Sequence, residues 1–268
     1  MNQADLPIPS EPPSPSANGN RGAPSADTTR FRRHELKLVL DAREANLVKD
    51  FARLNFAEDR YSPGGTPYAV HSLYLDSSDF AVYHRRLDDG DTKYRIRRYG
   101  TEPFVWLERK RRNGVLVRKR RERIPLEAMA AVFSGPLPAG EFIASFAGKV
   151  RAEHLVPRLL ISYPRSAWNA GPGARLTLDW AVEARRPASD AWFDLAKPAL
   201  AATSGVILEL KFDEECPALF GVLLQLLGRE GASWSKYAHG VEAFELTCSR
   251  GLGTKDREGP AFRNELAG

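Results

Sequence analysis

Charge recurs at every second position in segment after segment of this chain. Lys93-Tyr94-Arg95-Ile96-Arg97, Trp106-Leu107-Glu108-Arg109-Lys110, Val117-Arg118-Lys119-Arg120-Arg121, Arg175-Leu176-Thr177-Leu178-Asp179 and Leu208-Glu209-Leu210-Lys211 all carry it. Period 2 puts alternate side chains on one face of a strand. The intervening positions, such as Tyr94, Ile96, Leu176, Leu178, Leu208 and Leu210, are apolar. Each strand therefore has a charged face and an apolar face. One charged strand needs only water; many of them imply faces turned towards a shared polyanion. The apolar faces then need helices outside them, which inverts the usual small barrel with its apolar interior. The expected fold class is α+β: a closed or nearly closed antiparallel β-barrel tunnel of about eight strands with a charged lumen, covered by helices.

The chain has 268 residues and 43% hydrophobic content, enough for a sizeable core. Its net charge of +5 is modest but unevenly placed, because residues 85 to 123 hold 15 Lys and Arg against 6 Asp and Glu. Such a block attracts nucleic acid, acidic lipid or polyphosphorylated small molecules. Cys216 and Cys248 have no paired spacing, which excludes a disulfide scaffold, a cysteine zinc site and a CxxC motif. A reducing, cytoplasmic location is expected. The longest apolar run, Ala218 to Leu227, is too short to span a bilayer, and the first residues lack the pattern of a signal peptide. Direct membrane insertion is not expected, so any membrane association requires a membrane-protein partner.

Residues 1 to 30 hold six prolines and no aromatic residue, so they are expected to form a disordered tail. A single domain is expected over residues 31 to 250, followed by a flexible tail over 251 to 268. Strands are predicted near 33–40, 68–75, 92–99, 103–111, 115–124, 155–165, 174–182 and 205–212, with a short one at 192–195. Asn113-Gly114 signals a hairpin. Asp41 with Glu44 forms a capping box for a helix whose apolar face is Ala45, Leu47, Val48, Phe51 and Leu54. Further helices are predicted near 79–86, 126–134, 140–152, 215–228 and 239–249.

From about Arg33 to Gly240 these motifs resemble the catalytic domain of the vacuolar transporter chaperone, the polyphosphate polymerase branch of the triphosphate tunnel metalloenzymes. Glu35-Leu36-Lys37 resembles the opening Glu-x-Lys of that family, and Arg95-Ile96-Arg97-Arg98-Tyr99 its Arg-x-Arg-x-Tyr strand. Glu108 with Lys110, Lys119 with Arg121, Tyr163 with Arg165, and Arg175 with Asp179 match its later strands in order. Glu209 and Lys211 match the strand that brings a metal-binding glutamate and a lumen lysine. Ser235-Lys236 resembles its late Ser-Lys element. Ser233 stands where the eukaryotic polymerases carry a lysine. Arg33 stands where hydrolase and cyclase relatives carry their first glutamate, which argues against a plain triphosphatase. The regulatory domain that precedes the eukaryotic enzyme is not expected here, nor is a membrane anchor.

The resemblance implies that Arg95, Arg97, Lys119, Arg165 and Lys211 act on the transferred and flanking phosphates. Lys37, Lys110, Arg121, Tyr163, Arg175, Ser235 and Lys236 would complete the substrate site. A divalent ion, Mn2+ or Mg2+, would rest on Glu209 with Glu35, Glu108 or Asp179 nearby. The chemistry agrees: arginine forks and lysine point charges suit phosphate, hard cations take carboxylate and phosphate oxygens, and phosphoryl transfer needs mainly positioning and charge neutralisation. Arg98, Arg109, Arg111, Arg112, Arg118, Arg120 and Arg123 are expected outside the site. Phe104 and Trp106 suit packing at the barrel mouth or a base contact.

The expected activity is transfer of the terminal phosphoryl of ATP to a polyphosphate chain. A triphosphatase or polyphosphatase with the same tunnel stays open, as does a non-catalytic module for polyphosphate or nucleic acid. Carboxylates recurring among the cations favour a metal site over nucleic acid. Oligomeric state is not read from the sequence.

Overall fold

In chain order the computed structural model forms β1 (His34–Leu40), α1 (Ala42–Asn55), β2 (Ala57–Glu58), β3 (Tyr68–Asp76), β4 (Asp91–Tyr99), β5 (Phe104–Asn113) and β6 (Leu116–Pro125). There follow α2 (Glu141–Ala152), β7 (Val156–Asn169), β8 (Arg175–Asp179), β9 (Glu183–Arg185), β10 (Leu200–Ala201), β11 (Val206–Phe212), α3 (Ala218–Leu227) and α4 (Lys236–Cys248). The structure describes residues 34–113, 116–188, 191–229 and 234–248. The expected tails, Arg33, Ser233 and the Gly114 end of the hairpin turn lie outside the described residues.

The main strands pair antiparallel in the order β1-β11-β8-β7-β3-β4-β5-β6. In a flat sheet β1 and β5 would lie six steps apart, about 29 Å. Yet Lys110 of β5 donates to Glu35 of β1 at 2.7 Å. Only a strongly curled sheet brings these side chains together, so this contact fixes the curl. Among the described residues β1 and β6 are not hydrogen-bonded to each other, and side chains rather than backbone bridge the gap.

The alternation read from the sequence is realised on both faces. Leu36, Leu38, Leu40, Leu176, Leu178, Leu208 and Leu210 pack outward with Ala45, Val48 and Ala52 of α1 and Phe220 and Leu223 of α3. On the other half Tyr94, Ile96, Val105, Leu107 and Ile124 meet Phe142, Phe146 and Val150 of α2 and the 3-10 helix Leu126–Val132. Each fully buried large aliphatic side chain contributes about 2 kcal/mol. The Asp41–Glu44 capping box is present, with Asp41 accepting from Glu44 N at 2.8 Å and Glu44 accepting from Asp41 N at 2.9 Å. Leu54, however, is 86% exposed and Leu47 is exposed as well, so neither belongs to the buried face of α1.

Other expectations are corrected. Residues 79–86 form turns rather than a helix, because the buried Asp76 carboxylate accepts from Val82 N and Tyr83 N and Phe80 and Arg85 adopt positive φ. Residues 192–195 form a turn, not a strand, whereas the helix expected near 126–134 is present as a 3-10 helix over Leu126–Val132. The strand expected over 174–182 breaks at Ala181 (φ 39°) into β8 and β9. β7 runs on to Asn169, pairing first with β3 and then with β8.

Candidate functional site

Register decides which side chains share the concave face. Glu35 pairs with Lys211 and Lys37 with Glu209; Lys211 pairs in turn with Arg175, and Arg165 with Asp179. On the other half Arg95 pairs with Glu108, Lys93 with Lys110, Glu108 with Arg121, and Lys110 with Lys119. Directly paired residues point the same way. Hence all the strand residues assigned from the sequence share one face, and Ser235 and Lys236 approach it from the start of α4.

Three ion-pair knots result. Glu108 receives Arg95 at 2.6 Å and Lys119 at 2.7 Å, with Arg97 at 3.9 Å and Arg121 at 4.0 Å. Asp179 takes both arms of Arg165, at 2.5 and 2.7 Å, and shares Lys236 with Glu209, at 2.5 and 2.8 Å. Glu209 also takes Lys211 at 2.6 Å and Arg165 at 3.5 Å. Glu35 takes Lys110 at 2.7 Å, Lys37 at 3.3 Å and Lys211 at 3.7 Å. Arg97 donates to Ser72 and Tyr163, and Arg95 to Tyr74.

The charges respond accordingly. Burial pushes the Glu108 carboxyl up, but Arg95, Arg97 and Lys119 hold it well below the usual carboxylate range. Glu209 is held low against burial by Lys211 and Lys236, and Asp179 against burial by Arg165 and Lys236. Glu35 is low by the same opposition, Lys211 leading. Desolvation, with Arg95 and Arg97 close by, pushes the Lys119 amine down to about 6 although Glu108 opposes it. Desolvation also opposes Lys236, whose pKa is nevertheless raised by Asp179 and Glu209.

The two ends of the lumen differ. At one, Lys37 donates to Trp234 O, Lys93 donates to Ser235, and Tyr237 stacks on Tyr74 while its hydroxyl donates to Asp76. Gly240 comes so close to Leu159 that a Cβ would lie 2.5 Å from it. The start of α4 thus covers this end. At the other, Arg175 donates to Tyr68, Tyr68 packs on Tyr99, Arg121 lies 4.5 Å over Trp106, and Arg123 lies 5.4 Å over Phe104. Arg123, expected outside, stands on the lumen face, paired in register with Trp106. Arg98 is bonded to the carbonyls of Glu102 and Thr101, and Arg109 and Arg120 lie over Phe142 of α2, outside as expected.

Among the described residues no three His, Cys, Asp or Glu side chains cluster as a ready metal cage. The donor set still fits a hard divalent cation, which keeps several water and phosphate ligands and needs only one or two carboxylates. Glu209 and Asp179 already share one cation, the Lys236 ammonium, and the Thr177 hydroxyl beside Glu209 is buried without a hydrogen-bond partner. Glu108 lies in a different knot from Glu209, so the four carboxylates do not form one group. Lys93 was missed as a site residue although its period-2 spacing from Arg95 could have revealed it. Tyr74, Ser72 and Thr177 carry no charge and gave no signal.

The site is thus the concave face of a curled antiparallel sheet, with helices outside and paired charges inside. The VTC domain family model matches residues 32–245, and the chain belongs to that family. No curated protein matches the chain by sequence. Similar solved structures include a Hippeastrum protein with a dominant triphosphatase activity (16% identity, 78% of this chain and 94% of that one, TM-score 0.49). A Bacillus halodurans protein proposed as an adenylate cyclase is similar too (12%, 75% and 92%, TM-score 0.48). So is a Pyrococcus horikoshii protein (14%, 80% and 99%, TM-score 0.47). At these distances they carry nothing about this chain's activity. Among the described residues no helix is long and apolar enough to cross a membrane.

Proposed function

We propose that this domain is a metal-dependent polyphosphate polymerase that transfers the terminal phosphoryl of ATP to a polyphosphate chain. The observation that carries the reading is the charge balance of one concave face. Among the described residues Lys37, Lys93, Arg95, Arg97, Lys110, Lys119, Arg121, Arg165, Lys211 and Lys236 surround Glu35, Glu108, Asp179 and Glu209, with Asp91 beside Lys93. Such an excess of cations suits a ligand carrying charge on every phosphoryl unit.

In the proposed reaction an oxygen of the acceptor's terminal phosphate bonds to the γ-phosphorus of ATP as the bond to the β-phosphate oxygen breaks, and ADP leaves. Arg95, Arg97 and Arg165 offer planar forks to the equatorial oxygens, while Lys119 and Lys211 supply point charges as negative charge shifts to the leaving group. Lys37, Lys110, Arg121, Tyr163, Arg175, Ser235 and Lys236 hold the flanking phosphates. Glu209, with Asp179, would hold the divalent ion, which when bound neutralises phosphate charge. Polymerase is favoured over hydrolase because Glu35, Glu108, Asp179 and Glu209 are each engaged by at least two cations, so none of the four stands free to orient water.

Purified protein with ATP and Mn2+ is expected to yield ADP and an acid-labile polymer, with little early orthophosphate and a lag shortened by a polyphosphate primer. Stoichiometric orthophosphate without polymer would assign a hydrolase. Tight metal-independent binding of polyphosphate without turnover would leave only a binding module.

A further inference from the structure

We infer that the end of the lumen away from α4 carries a nucleobase shelf built from Trp106 and Phe104, so that the donor nucleotide lies with its base at this rim and its phosphates inward. The inference rests on the phosphoryl-transfer reading and adds where, and by what, the nucleoside is held.

Both rings stand on the charged face of β5 and belong to neither apolar core, whereas Val105 and Leu107 between them are fully buried. They meet edge to face, with centroids 6.2 Å apart, and each remains partly exposed. A lumen that bound only polyanions would use these rings solely to support Arg121 and Arg123. A purine does gain, because every base presents a π-face to stack on an aromatic side chain.

Position supports the same ligand. Trp106 pairs in register with Arg97, and the next lumen position inward, about 7 Å along the strand, is Glu108 with Arg95 beside it. A ribose can bridge that step between a stacked base and the arginine grip. Among the described residues the opposite end offers no comparable shelf: Tyr74 and Tyr237 stack on each other, and Trp234 stacks on His239. Arg121 and Arg123 over the two rings disfavour an aromatic cation and suit a neutral base joined to phosphates. A binder of single-stranded nucleic acid would instead line successive rings along a groove.

The test compares ATP with inorganic tripolyphosphate by calorimetry on the full chain. Trp106→Leu is expected to weaken ATP about ten-fold and tripolyphosphate by less than about two-fold, while Trp106→Phe restores most of the ATP affinity. Phe104→Leu carries the same comparison should Trp106→Leu unfold. Equal losses for the two ligands, or no loss for either, would overturn the shelf and leave Trp106 as a support for Arg121. If tripolyphosphate fails to bind even the unaltered protein, the phosphate-tunnel reading falls and the shelf with it.

Discussion

Glu108 is 1% exposed and faces four basic side chains, so it sets the energetics of its half of the tunnel. Glu108→Gln leaves Arg95 and Arg97 without their buried counter-charge, and the expected cost is about 3 kcal/mol in denaturant unfolding. Tripolyphosphate should stabilise that variant more than the parent, since the ligand supplies the missing charge; equal stabilisation would refute this. Lys119 acts in the opposite sense. Desolvation beside Arg95 and Arg97 lowers its pKa to about 6, which loosens the hold on its proton, and a bound phosphate favours the ammonium. Binding of tripolyphosphate at pH 8 should take up a proton and weaken as pH rises from about 6 to 9. Calorimetry in buffers of unlike ionisation heat reads the uptake, and Lys119→Arg, charged throughout, should lose it. Arg95, Arg97, Lys119 and Glu209 were legible because charge at period 2 is visible in one dimension. Tyr74 and Thr177 were not, because an uncharged side chain facing a lumen looks the same as one facing a core.

At the scale of elements, the legible parts were those that local chemistry specifies. The capping box announced α1, and its loss in Asp41→Ala is expected to cost about 1 kcal/mol, measured as a lower unfolding midpoint. The segment 79–86 misled because its backbone donors are taken by Asp76, a partner that no local pattern reveals. Gly65 is constrained from outside its own turn in the same way: φ is +74° and an added Cβ would lie 2.5 Å from the Trp168 ring. Gly65→Ala should destabilise by about 2 kcal/mol, combining backbone strain with overpacking. A variant as stable as the parent would show that the turn and ring can part at no cost.

For the whole molecule, alternation predicted a tunnel but not how it is shut. That depends on Lys110 finding Glu35, 75 residues away, and on α4 folding over one end. Four carboxylates with depressed folded pKa values give stability that is fully present above their unfolded pKa values and lost as pH falls through the folded ones. Acid titration should therefore show unfolding beginning below about pH 4, and tripolyphosphate should move the onset lower. In the proposed polymerase reaction, the edges of β1 and β6, unpaired among the described residues, bear on how a long polymer would depart. A ring sealed by backbone must slide to a chain end, so its residence time would grow with polymer length. A ring clasped only by side chains can open sideways, and release then becomes a local event whose rate is the same for short and long chains.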